Sequence, residues 1–389
     1  MGADGGLVTI PPGEYLLRQA IRIRSGVSLQ GAGEKTILRK NKQVGSKLTA
    51  VTSGTTARVE DATGFHAGDQ IGFFDRTTVG WLHGQAIVKG VQGNELLLSK
   101  DPGGKFDPAN GGAVINYFPA ISGRDVSHVV LRDLTIDGRA DENPGPGVVS
   151  ERATGKPPEL SFIFAAVDLI RVSDSRVENV RVKGWPADGI SVQGKGSVPG
   201  KYRGNVVTKC YVENCRGPGF HAGGRLQDSE FSENEARGNL GDGFYFCAWV
   251  TRITVRNNKF IGNQGSGVGG LGDSGDIENV VENNLCERNG TNGISLWDGE
   301  NNTVRNNICV DNSQREPGRW SGIALAKTEK SVVSGNRCFD DQPTKTQKHG
   351  IEESANSRGN TFTNNDCRGN AQSGLKLPGK DSQQSGNVD

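Results

Sequence analysis

The sequence predicts an all-β fold, a right-handed parallel β-helix, on three observations. First, a glycine followed by an apolar residue recurs at Gly189-Ile190, Gly219-Phe220, Gly243-Phe244, Gly267-Val268, Gly293-Ile294, Gly322-Ile323, Gly350-Ile351 and Gly374-Leu375. Successive glycines lie 30, 24, 24, 26, 29, 28 and 24 residues apart. A period in the twenties marks a solenoid, whose repeats bury their apolar faces only against neighbouring repeats. Second, each repeat consists of short β-branched runs broken by Asn, Gly and Asp, such as Asn179-Val180-Arg181-Val182 and Ile253-Thr254-Val255-Arg256. No 3.6-residue apolar period accompanies them, which excludes a leucine-rich horseshoe and leaves coils of about three short strands. Third, Cys286, Cys309, Cys338 and Cys367 fall at one place in successive coils, each followed at the bend by Asn289, Asn312, Asp341 or Asn370. Tyr211, Ala236 and Phe260 continue this column in earlier coils. With parallel strands stacked about 4.8 Å apart, the column is an internal ladder of side chains beside a polar ladder.

Composition agrees. Among 389 residues, 57 are glycine and only 33% are apolar, which suits a thin core with many bends rather than a thick globular one. The 45 basic and 44 acidic residues give a net charge of +1, which argues against a general nucleic-acid or membrane partner. There is no long apolar span and no signal peptide. The opening Met1-Gly2-Ala3-Asp4 reads as a start inside the mature protein. The four ladder cysteines, and Cys210 and Cys215, are expected to be reduced core residues, and no Cys-x-x-Cys pair offers metal spacing.

In chain order, residues 1–46 form the opening coil, with Val8-Thr9-Ile10-Pro11-Pro12-Gly13-Glu14-Tyr15 leading to Val27-Ser28-Leu29-Gln30-Gly31-Ala32-Gly33. This entry resembles the first coil of pectate-lyase-like β-helix proteins. The resemblance implies a helix capping the open end; none precedes Gly5-Gly6, so the natural chain is expected to continue upstream. Residues 47–118 break the rhythm with short strands at hairpin spacing and a Gly93-Asn94 turn, which predicts an inserted small β-barrel or sandwich. The main helix then occupies 119–389, with a Pro/Gly-rich loop from Arg139 to Leu160 lying over one face.

A β-helix has no interior cavity, so chemistry belongs on its outer face. The residue after each Gly-apolar pair should point outward, giving the column Ser191, His221, Tyr245, Gly269, Ser295, Ala324, Glu352 and Lys376. A second column reads Gln193, Gly223, Cys247, Leu271, Trp297, Ala326, Ser354 and Pro378. Polar residues concentrate in the coils led by Gly189, Gly219 and Gly243. His221 and Tyr245, one coil apart, should have Cα atoms about 5 Å apart and can exchange protons with adjacent sugar carbons. Arg225 can neutralise a uronate carboxylate and so acidify the neighbouring C–H. Such a constellation is similar to that of β-eliminating lyases and C5-epimerases on this fold, although the epimerase motif asp-pro-his-glu is absent.

Asp188 and Asp242 support a different reaction. They lie two coils apart, roughly 9–10 Å, near the upper limit for an inverting glycosidase pair. Ala187-Asp188-Gly189-Ile190 faintly resembles the asn-thr-asp-gly of polygalacturonases, but the rest of that pattern is missing. Trp185, Trp249 and Trp297 suit stacking against sugar rings on the same face, with Asp298 beside them. Asp273, Asp276, Asp298 and Glu300 form a candidate Ca²⁺ cluster, although no cofactor is required. Lys348-His349-Gly350-Ile351-Glu352-Glu353, coils away from His221, reads as a structural feature.

These readings predict a secreted protein acting on a polymeric glycan, without nucleic-acid or membrane partners. β-Elimination by Tyr245, His221 and Arg225 leads. Hydrolysis by Asp188 and Asp242, and non-catalytic glycan binding or a tail-fibre-like structural role, are the alternatives.

Overall fold

The structure, a computed structural model, describes residues 5–75, 84–144, 164–195, 200–272 and 275–389. Three parallel sheets run the length of a solenoid. The first has eleven strands, one per coil, from Ile21–Arg22 through Ile121–Ser127, Val167–Ser173, Ile190–Gln193, Phe220–Gly223 and Phe244–Cys247 to Ser373–Lys376. The other two faces are joined at the early coils by the long strands Val27–Lys40, Val130–Asp137 and Arg176–Lys183, which turn the corner between them.

The glycine-apolar pairs work as one packing device. Ile190, Phe220, Phe244, Val268, Ile294, Ile323 and Ile351 are fully buried, one above another. Each such side chain stabilises by about 1.5–3 kcal/mol. The preceding glycine is required by close approach, not by a left-handed turn. A Cβ at Gly267 would lie 2.6 Å from the Gly293 carbonyl and 2.8 Å from Cys286 Cβ; at Gly293 it would lie 2.8 Å from Cys309 Cβ. The ladder residue facing each glycine must leave that approach open, and cysteine is small enough to do so.

The ladder itself runs Val212, Ala236, Phe260, Cys286, Cys309, Cys338, with Cys367 buried beyond it. All seven cysteines are unbridged. Two expectations need correction here. Tyr211 is not in the ladder: it pairs with Glu235, faces outward and carries the Arg181 guanidinium 4.6 Å above its ring. A register error of one residue moves a side chain to the other face. Asp341 is also outside its polar ladder. Asn239, Asn263, Asn289 and Asn312 each pass a side-chain amide to the next coil, and Gln347 takes the following place before Asn370. The bend at 340–347 is longer than its neighbours, so counting three residues from cysteine fails there.

Between the first two coils lies a six-stranded antiparallel sheet with its own apolar cluster, including Val59, Ile71, Phe73, Leu96 and Val114. Its edge strands Gly45–Lys47 and Thr56–Arg58 meet through an antiparallel bridge between Leu48 and Val59, closing the sheet on itself. The sheet begins at Gly45, and Tyr117 and Phe118 already belong to the solenoid core. The expected covering loop from Arg139 lies, beyond residue 144, outside the described residues.

Candidate functional site

Strand register sets one outward column as Arg22, Ser122, Asp168, Ser191, His221 and Tyr245. The next outward column holds Arg124, Ile170, Gln193, Gly223 and Cys247. Asp188 sits at the bend before Gly189, one coil below His221, and from there its Oδ2 lies 2.8 Å from His221 Nδ1. Both side chains are 3% exposed. Burial acts to lower the His221 pKa, but the hydrogen bond and charge of Asp188, with a contribution from Cys247, outweigh it and raise it to about 9. Burial raises the Asp188 carboxyl pKa, and the histidine works against that rise. Asp188 thus favours the protonated imidazole, whose Nδ1–H donates to its Oδ2.

Three glycines shape the surface above this pair. A Cβ at Gly223 would lie 2.9 Å from His221 Nε2 and 3.1 Å from Cys247 Cβ, so its absence lets imidazole and thiol meet. Cys247 adds to the rise of the imidazole pKa. Tyr245 sets its ring edge-on to His221, with centroids 5.3 Å apart. In the following coil the register shifts between Val268 and Leu271. This bulge carries Gly269 and Gly270, where added Cβ atoms would strike the Asp242 carboxylate at 2.3 Å and the Tyr245 ring at 2.8 Å. Bulges at such places re-aim side chains. Tyr245, Cys247, Asp242 and Arg225 all remain partly exposed here.

The structure brings together His221, Tyr245, Asp188 and Asp242 but gives them unequal places. His221 was expected on the groove surface; it is 2% exposed, so a ligand meets Tyr245 and Cys247 first. Asp188 is committed to His221, whereas Asp242 accepts from the Ser266 backbone amide and is partly exposed. Arg225 holds its guanidinium 4.8 Å over Trp249, which is 49% exposed. Trp297, 54% exposed, lies under Lys327, and Asp298 beside it accepts from the Gly299 backbone amide. Trp185 is corrected: it is fully buried, its Nε1 donating to the Phe164 carbonyl at 2.7 Å, and it cannot stack on a sugar. Leu271 is likewise turned inward by the bulge to pair with Leu296. Of the acidic cluster, Asp276 accepts from the Val250 and Gly272 amides, Glu300 faces Lys330, and Asp273 lies outside the described residues.

Sequence reasoning missed Asp168, Ser122, Arg22 and Arg124. Asp168 is buried, which raises its carboxyl pKa against the pull of Arg124, 3.6 Å away. A signal existed. Ala20-Ile21, Ala120-Ile121 and Ala166-Val167 occupy the slot of the glycine-apolar pair, so admitting alanine there would have extended the column by three coils.

Comparison with known proteins matches this architecture. No curated protein sequence matches the chain. In structure it is similar to the A-module of the Azotobacter vinelandii mannuronan C-5 epimerase AlgE6, with 17% identity and a TM-score of 0.57 over 99% of this chain and 91% of that one. It is also similar to the enzymatically active domain of bacteriophage CBA120 tailspike protein 2, with 11% identity and a TM-score of 0.58 over 98% of this chain and 48% of that one. An exopolygalacturonase from Thermotoga maritima gives 12% identity and a TM-score of 0.54 over 99% and 84%. At these identities the likeness is one of fold. The family model of the right-handed β-helix region matches residues 165–315 and 247–387. More than half of the sequence is thereby accounted for, and the chain belongs to the right-handed β-helix family.

Proposed function

We propose that this protein is a secreted enzyme that acts on an acidic polysaccharide, cleaving it by β-elimination at a uronate. The observation that carries this reading is the partly exposed Tyr245 set against a buried His221–Asp188 pair. Tyr245 is the group that touches substrate, and His221 is a positioning residue behind it. Fixed positive charge at His221 stabilises the negative charge that the tyrosine oxygen carries when it takes part in proton transfer. Arg225, supported on Trp249, pairs with the uronate carboxylate and makes the adjacent C5 proton easier to remove. The Tyr245 oxygen takes the C5 proton, the C5–H electron pair becomes the C4–C5 double bond, and the C4–O pair leaves with the glycosidic oxygen, which receives the proton back from the Tyr245 hydroxyl. Exposed Trp249 and Trp297 offer stacking surfaces along the same face. The epimerase, tailspike and polygalacturonase neighbours support a glycan substrate class.

Hydrolysis by an Asp188/Asp242 pair is less favoured, because Asp188 is 2% exposed and hydrogen-bonded to His221 rather than presented to the groove. The test is digestion of a panel of neutral and acidic glycans, read both by absorbance of unsaturated ends and by reducing ends. Unsaturated ends matching reducing ends on a uronate polymer support elimination. Reducing ends alone indicate hydrolysis, and binding without either indicates a glycan-binding module.

A further inference from the structure

The insert and the first two coils enclose a cleft of about 320 Å³ at one end of the same outer face. Its walls include Arg22, Ser122 and Arg124 from the solenoid and Gln70, Gln85 and Lys100 from the insert. A second hollow of about 300 Å³ shares Arg22, Gln70, Gln85 and Lys100 and extends it along the insert. None of the described lining residues of either is acidic, whereas three are cationic. Among the described residues, Arg124 alone of these cations has an ion-pair partner, Asp168 at 3.6 Å. Volumes of this size suit one small ring or charged group, and amide and hydroxyl side chains supply the remaining hydrogen bonds.

Position gives the cleft its meaning. Arg22 and Ser122 begin the column that continues through Asp168 and Ser191 to His221. Three or four coil steps of about 4.8 Å place the cleft roughly 14–19 Å from His221 along the groove. A polymer lying across Tyr245 and running toward the insert meets these cations several sugar units from the reacting bond.

We propose that the insert completes a remote subsite that holds the carboxylate of a second uronate, so that it senses the length and charge of the chain. This rests on the elimination reading for the class of glycan. Arg22 and Lys100 grip the anion, and Arg124 is held in place by Asp168.

The test measures calorimetric binding of short and long oligouronates to the full chain, with turnover measured alongside. Arg22→Ala combined with Lys100→Ala should weaken binding of the long oligomer on the order of tenfold, and raise its KM alike, with short-oligomer binding and kcat unchanged. Lys100→Glu, at an exposed position, should do the same if the double variant is poorly folded. Loss of long-oligomer affinity in variants of an inert protein would keep the subsite and remove the elimination reading. Equal turnover of long and short oligomers by wild type and variants would remove the subsite and keep elimination. A wild type that binds no oligouronate would overturn both.

Discussion

Replacing Asp188 by Asn removes one charge while keeping the shape and an acceptor for His221. In the native protein the histidine pKa of about 9 stands well above its ordinary 6.5, which favours the imidazolium by on the order of 3 kcal/mol. Without the carboxylate the main cause of the rise is gone, burial is opposed only by the Cys247 contribution, and the pKa falls. At pH 8 a return to the ordinary value of 6.5 cuts the imidazolium fraction roughly thirtyfold, and turnover should fall with it, recovering as the pH is lowered. Stability follows the same sign. A raised folded-state pKa gives a contribution fully present below about 6.5 and lost as the pH rises through about 9. The destabilisation of Asp188→Asn should therefore be largest near pH 6.5 and vanish above pH 9. Histidine-selective NMR titration reads the pKa directly, and denaturant melts at both pH values read the stability. A His221 pKa that stays near 9 in the variant would refute the reasoning, because the charge would then come from elsewhere.

Other expectations follow from the same structure. Alkylation of the native protein should modify Cys247 alone, since the other six cysteines are at most 2% exposed, and should block the site; intact mass and residual turnover check both, and seven thiols should react after denaturation. Asn289→Ala removes bonds from the Asn263 amide groups and to the Phe260 carbonyl and Asn312 inside a fully buried ladder. Two or more stranded buried groups should cost about 2–4 kcal/mol in a denaturant melt. Lys40 is buried between insert and solenoid, its ammonium donating to Asn116 and Asn143, and burial lowers its pKa to about 7. Its depressed pKa makes the folded state lose stability as the pH falls from about 10.5 through 7, so Lys40→Met should stabilise at pH 6 and give little at pH 10.5.

The solenoid was legible because its period is local: each coil from Gly189 onward repeats a close approach that glycine permits, and the ladder facing it is read from spacing. Errors arose where spacing is not constant. The long bend at 340–347 put Gln347 in the place predicted for Asp341, and the glycine bulge turned Leu271 inward. Pairing of His221 with Tyr245 was legible for the same reason as the fold, since neighbours in a column touch. Its burial was not, because covering of an outer face depends on groups far apart in sequence. The Asp188–His221 bond was missed as a unit because one residue comes from a bend and the other from the strand of the next coil. Trp185 shows the converse: an aromatic at a bend can turn inward, and only the indole bond to Phe164 reveals which way it went.

The central claim is that Tyr245 transfers the proton with His221 and Asp188 behind it. The most direct measurement is turnover of a uronate polymer by Tyr245→Phe, compared with Asp242→Asn, alongside a thermal melt of each. The account predicts that Tyr245→Phe loses roughly 10²–10⁴-fold in rate with an unchanged melting temperature, because the ring contact with His221 is kept and only the hydroxyl is removed. Asp242→Asn should cost far less. A Tyr245→Phe protein that turns over within a few-fold of wild type, with Asp242→Asn inactive, would contradict it.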